Sequence, residues 1–142
     1  MRASSPSGRG TGWVVGQTIL MALVVASWFF GEGISRLGLA LAAVGLAIAL
    51  WSFSAMRGSL TPYPRPRRDG VLVDRGPYRY LRHPMYVGGA LLFAGLSVVF
   101  SVWGIALTGA LGVFWIGKAR LEERHLLDRF PGYAEYRRRT LF

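Results

Sequence analysis

The 142-residue chain contains no cysteine, only two histidines (His83 and His125), and seven acidic residues against seventeen basic ones. Without cysteine there can be no disulfide, no thiolate metal site and no cysteine nucleophile. Two histidines without clustered carboxylates at ligand spacing do not make a metal or haem site, so no metal is expected. The acidic deficit leaves a formal charge of +10. No zinc-finger, helix-turn-helix or RNA-recognition signature accompanies that charge, so nucleic acid is not an expected partner. Charge is missing altogether from 13–30, 37–56 and 85–117.

Those uncharged runs decide the class. Hydrophobic residues make up 52% of the chain, more than a soluble domain of this size carries in unbroken stretches, so an integral membrane protein is expected. Residues 1–12 are basic and Ser/Gly-rich and read as disordered. Residues 13–56 hold two runs, 13–30 and 37–56, each long enough to cross a bilayer. Gln17, Thr18 and the bulky Trp28-Phe29-Phe30 end speak against the first being a cleaved signal peptide. Residues 57–82 are polar, with four prolines and seven arginines, and repeated X-Pro steps predict an irregular loop. The uncharged run 85–117 would make a helix of roughly 50 Å, too long for a hydrocarbon core of about 30 Å. It therefore predicts a tight hairpin over 84–117, bent around Phe100–Gly104. Gly104, Thr108 and Gly112 recur every fourth position, a spacing that favours close helix approach. Beyond Gly117 the pattern turns amphipathic, with Leu121, Leu126, Leu127 and Phe130 on the apolar side.

Arginine placement sets the expected orientation. The 57–82 loop and the tail from Lys118 hold seven basic residues each, the turn at 31–36 only Arg36, and the hairpin bend none. The positive-inside rule puts both termini and the long loop in the cytosol. The expected architecture is an all-α, multi-pass membrane protein with about four transmembrane helices. The last two form the hairpin, and a cytosolic amphipathic C-terminal helix follows.

Topology does not explain why Tyr78, Tyr80 and Tyr86 surround His83-Pro84 in "RGPYRYLRHPMYVGG" (75–89). Pro84 suits the first turn of a helix, and His83 then sits at its N-cap beside free N–H groups and Arg82. The hairpin returns Glu122-Glu123 to the same face. One wall would suit a carboxylate or phosphate, the other an amine or a sulfonium. Tyr78, Tyr86 and Trp115 offer aromatic faces to a cation, although Trp115 also fits interfacial packing. S-adenosylmethionine has that pattern of charges, as do other nucleotide-like ligands. His125 reads as a surface residue.

"LVDRGPYRYLRHPMYVG" (72–88), the charge-free hairpin and "EERHLLDRFPGYAEY" (122–136) together resemble the isoprenylcysteine carboxyl methyltransferase family. That family is part of a wider group of membrane methyltransferases that includes phospholipid N-methyltransferases. The resemblance covers about residues 70–137 and implies a methyltransferase core over 57–142 that uses S-adenosylmethionine. It implies cofactor contacts from Leu72, Val73, Tyr78, His83, Pro84, Met85, Tyr86 and Glu122. Arg82 joins this set because it adjoins the helix N-terminus. Lys118, with Arg120 as a close substitute, matches the position that binds the acceptor carboxylate, and Tyr133 and Tyr136 match the aromatic tail. Two departures stand out: Gly70 where some relatives place a histidine, and an F-P-G-Y-A-E-Y spacing one residue shorter than usual.

The expected reaction is methyl transfer to a lipophilic small molecule or prenylated acceptor at the cytosolic membrane face. A carboxylate acceptor needs only Lys118 or Arg120 to position it, whereas an amine needs a base, for which Glu123 or His83 is available. Two other readings compete. One is a membrane reductase of the sterol or isoprenoid type, which shares an R-H-x-x-Y-x-G stretch. The other is a non-enzymatic multispan protein that binds anionic membrane lipids or a partner through its basic loop.

Overall fold

The structure is a computed structural model and describes residues 8–31, 35–64 and 70–142. Among the described residues five α-helices follow in order: α1 (Gly8–Ser27), α2 (Arg36–Ala55), α3 (Pro84–Phe100), α4 (Val102–Arg129) and α5 (Tyr133–Arg139). A 3₁₀ turn at Trp28–Phe30 extends α1, and another spans Gly76–Arg79. Among the described residues there is no strand, only one isolated bridge between Leu81 and Leu141. Helix begins at Gly8, within the segment 1–12 expected to be disordered, and residues 1–7 lie outside the described ones. Parts of the two connecting segments, 32–34 and 65–69, also lie outside them.

Three segments, Gly10–Phe30, Arg36–Ala55 and Val102–Arg129, are long and apolar enough to cross a membrane. The 17-residue α3 is apolar but shorter. At 1.5 Å per residue it reaches about 25 Å, somewhat less than a typical hydrocarbon core. The hairpin bends at Ser101, inside the expected window. This residue is extended (φ −165°, ψ 125°) and its hydroxyl accepts from the Gly104 N–H, capping α4. The second arm does not stop at Gly117: α4 runs unbroken for 28 residues, about 42 Å, which outreaches the hydrocarbon by about 12 Å. That excess carries Lys118, Glu122 and Glu123 to one end of the bundle. Charged residues after Gly117 are strong helix formers, and no Pro or Gly interrupts them before Pro131.

Close packing falls on a seam other than the expected one. Gly38, Ala42, Gly45 and Ala49 of α2 pack against Gly88 and Gly95 of α3. A Cβ on Gly88 would lie 2.7 Å from the Ala49 nitrogen and 2.8 Å from the Gly45 carbonyl, so the two backbones touch. This small-residue packing is the usual basis of helix association in lipid, where no hydrophobic force draws helices together. Of the expected triplet, Gly104 lies against Ser97 and Ser27 and Thr108 bonds to Ser97 Oγ, but Gly112 has nothing within 4 Å. A second layer joins α1 and α3 to α4 through Val24, Leu111 and Trp115. Gly76, at φ +59°, packs its backbone under Trp51 and Ala55 and holds the 76–79 turn at the end of α2.

Candidate functional site

The site lies at the end where α3 begins and α4 ends. His83 is the N-cap residue of α3 and Pro84 occupies the first turn, as expected where a missing N–H costs nothing. The imidazole does not cap the helix. It is buried, stacks on Tyr86, and lies between the two glutamates, with Nε2 3.2 Å from Glu123 Oε1 and Nδ1 3.7 Å from Glu122 Oε2.

Glu122 and Glu123 have separate surroundings because neighbouring helical residues point about 100° apart. Glu122 accepts from the Tyr86 hydroxyl at 2.6 Å and lines both of the cavities described below. Glu123 lines neither. It pairs with Arg82 Nε at 2.8 Å and Arg137 Nε at 3.5 Å in addition to His83. Arg82 also donates from Nη1 to the carbonyls of Arg137 and Thr140. The Glu123–Arg82 pair therefore ties the last turn of the chain to α4. The Arg82 and His83 N–H groups donate to the Leu141 and Phe142 carbonyls and secure the same segment.

Two adjoining cavities open here. The first, about 110 Å³, is walled by Tyr63, Gly70, Leu72, Val73, Tyr133 and Tyr136, among others. The second, about 360 Å³, is walled by Gln17, Pro62, His83, Met85, Tyr86 and Lys118. Met56, Thr61, Tyr78, Arg82, Glu122 and Leu126 belong to both and form the partition. Both linings are mainly apolar with a few converging polar groups, the usual constitution of a small-molecule site.

Tyr133, a lining residue of the first cavity, carries an orphan polar group. The Tyr133 hydroxyl is buried without a hydrogen-bond partner, whereas that of Tyr136 donates to the Tyr78 carbonyl at 2.7 Å. Burial, with Glu123 adding to it, pushes the Tyr133 phenol upward, so the group stays protonated and can donate. Burial likewise raises the Tyr78 phenol, and it pushes Tyr136 up to about 12. A buried donor left unpaired costs free energy unless something fills the place. The residues present therefore fit a ligand with acceptor atoms, an aromatic-compatible body and a positive centre for Glu122.

In the second cavity Lys118 is almost fully buried. Its Nζ donates to Gln17 Oε1 at 2.9 Å and to the Pro62 carbonyl at 2.8 Å, and lies 5.5 Å from the Tyr86 ring centre. Trp115 Nε1 donates to the same Gln17 oxygen at 3.1 Å, and its ring stacks on Tyr86. Trp115 is thus a core residue and not an interfacial one.

The structure brings together most residues expected from the sequence. Leu72 and Val73 line the first cavity, and His83, Met85, Tyr86 and Lys118 the second. Tyr78, Arg82 and Glu122 stand between them. Pro84 is buried behind the wall, and Arg120 is exposed and lines neither cavity. His125, expected at the surface, is half-buried, and its Nδ1 is buried without a partner. No cluster of metal-ligating side chains occurs among the described residues. Sequence reasoning missed Gln17 and the contribution of Met56–Tyr63. The signal for Gln17 was present: a lone amide in an apolar span needs a partner.

The phospholipid methyltransferase family profile matches residues 34–132, which takes in α2 to α4 and leaves out α1 and α5. The chain is 31% identical over 134 residues to the cobalt-zinc-cadmium resistance protein CzcN of Cupriavidus metallidurans, covering 86% of this chain and 58% of that protein. It is also 31% identical over 137 residues to the nickel-cobalt-cadmium resistance protein NccN of Alcaligenes xylosoxydans xylosoxydans, covering 89% of this chain and 59% of that one. The chain thus spans somewhat under two thirds of the length of both relatives. No solved structure matches it.

Proposed function

The chain belongs to the phospholipid methyltransferase family, and from that premise we propose that it is an integral-membrane, S-adenosylmethionine-dependent methyltransferase acting on a lipophilic acceptor with an acidic head, of the isoprenylcysteine carboxylate kind. The observation that carries this reading is the pair of cavities divided by Tyr78, Arg82 and Glu122. In this arrangement the cofactor would lie across the partition, from Leu72 and Val73 of the first cavity to His83, Met85 and Tyr86 of the second, and the acceptor's head group would reach Lys118 in the second.

When bound, S-adenosylmethionine supplies a methyl group on a positively charged sulfur, an electrophile that a carboxylate oxygen accepts without any proton to remove. Glu122, held by the Tyr86 hydroxyl, would face the positive charge. Tyr133, Leu72 and Val73 would wall the first cavity around it. Lys118 would orient the acceptor's acid group from the second cavity, whose mainly apolar lining excludes water. An amine acceptor fits less well. It would need a base, and the two candidates are already engaged, Glu123 with Arg82, His83 and Arg137, and His83 between two carboxylates.

The test is calorimetric titration of detergent-purified protein with S-adenosylmethionine. Wild type is expected to bind saturably, and Glu122→Gln at least about tenfold more weakly, since a charge-assisted contact contributes about 1.5–3 kcal/mol. Folded wild type that binds no cofactor would overturn the reading and favour a lipid-binding membrane protein.

A further inference from the structure

Gln17 lies on α1, outside the segment matched by the family, and yet its side chain hydrogen-bonds Lys118 inside that segment. Its Oε1 accepts from both Lys118 Nζ (2.9 Å) and Trp115 Nε1 (3.1 Å). Two donors converging on one atom identify that atom as the oxygen. The Pro62 carbonyl takes a second ammonium hydrogen. Both acceptors are uncharged. Lys118 is therefore fixed in place while its charge is not cancelled, and one of its three N–H groups is left for the cavity. This contrasts with Arg82, whose partners include the carboxylate of Glu123.

We infer that Gln17 is a positioning residue that makes the second cavity selective for an anionic head group by holding Lys118 with a neutral oxygen. The inference rests on the acceptor-site reading above for its biological meaning, but not for its test. A neutral amide keeps the cation available, whereas a carboxylate at the same place would cancel it. The other charged group lining the cavity besides Arg82 is Glu122, whose charge is felt by Lys118 but which accepts from the Tyr86 hydroxyl, lies 3.7 Å from His83 Nδ1 and makes no direct ion pair with Lys118. An acid head therefore goes to Lys118. Because α1 supplies Gln17, the selectivity is written in a helix that the family-wide core does not include.

The probe pair is N-acetyl-S-farnesylcysteine and its carboxamide, which share one chain and differ in head-group charge. Binding of each is measured in detergent without S-adenosylmethionine, so that failure of the cofactor reading and failure of this inference show up separately. Wild type is expected to prefer the carboxylate by about tenfold or more, the effect of one hydrogen bond between charged partners. Gln17→Glu keeps an oxygen for Lys118 and Trp115 but adds a charge, and is expected to abolish the preference while carboxamide binding persists. Gln17→Leu is expected to reduce the preference by releasing Lys118. Thr18→Val, on the exposed side of α1, is the control and should behave as wild type. A preference that survives in Gln17→Glu would overturn the inference. So would a wild type that binds neither probe or does not discriminate, or an equal loss of both probes in the variants, which marks a purely structural amide. Should Gln17→Leu fail to fold, Gln17→Glu decides alone.

Discussion

Tyr133 shows how a single side chain can report on a missing partner. Its hydroxyl is buried, protonated and unpaired, at a place where the neighbouring Tyr136 finds a backbone carbonyl. Removing an unsatisfied donor is close to neutral for a folded protein, or stabilising by up to about 1 kcal/mol. Tyr133→Phe is therefore expected to melt at or slightly above the wild-type temperature in detergent, while binding S-adenosylmethionine several-fold more weakly. A lower melting temperature without cofactor would mean that the hydroxyl has a structural partner after all. At the same scale, the two glutamates mark what the sequence could and could not convey. "EE" on a helix announces two carboxylates, but the 100° between them sends Glu122 to the cavities and Glu123 to Arg82 and Arg137. Which faces which depends on the rotation of α4, and the apolar side around Leu126, Leu127 and Phe130 does not say which neighbouring element it meets. Gln17 was legible as an exception but not as a partner of Lys118, since the two are 101 positions apart.

At the scale of elements, the hairpin was readable because bilayer thickness limits an uncharged helix, and the break at Ser101 satisfies that limit. The seam was misread for a physical reason: glycine spacing identifies a face that permits close approach, but not the helix that uses it. α2 and α3 use theirs, with Gly45 and Gly88 in backbone contact, while Gly112 faces open space. The difference yields a paired prediction. Gly45→Ala would push its methyl into the backbone of Leu92 and Gly88, and overpacking of this kind costs about 1–3 kcal/mol. Gly112→Ala meets nothing and gains the helix propensity of alanine, about 0.8–1 kcal/mol. Thermal melts of the two variants in one detergent should shift in opposite directions. Equal shifts would mean that the α2–α3 seam is not a close backbone contact.

The whole molecule is polarised along the bundle. Phe29, Phe30, Val102 and Trp103 are exposed and uncharged at one end, where Gly31 meets the backbone of Phe100. The two cavities, the 3₁₀ turn at 76–79 and the arginines of α5 gather at the other. A bilayer would sort these ends through the basic residues, which are retained on the cytosolic side. A cofactor made in the cytosol would then reach the first cavity directly. The absence of cysteine makes this orientation easy to test, since an introduced thiol is the sole one in this 142-residue chain and is read on the purified protein. Trp103→Cys at the hairpin bend and Arg138→Cys on α5 both place the thiol at an exposed position. In intact cells a membrane-impermeant maleimide is expected to label the Trp103→Cys protein, and to reach the Arg138→Cys protein only after the membrane is opened. The reverse pattern would put the cavities on the outer face, away from any cytosolic methyl donor, and would overturn the proposed orientation. It would leave the packing of the helices untouched, because the seam between α2 and α3 and the core around Trp115 do not depend on which side of the membrane the arginines occupy.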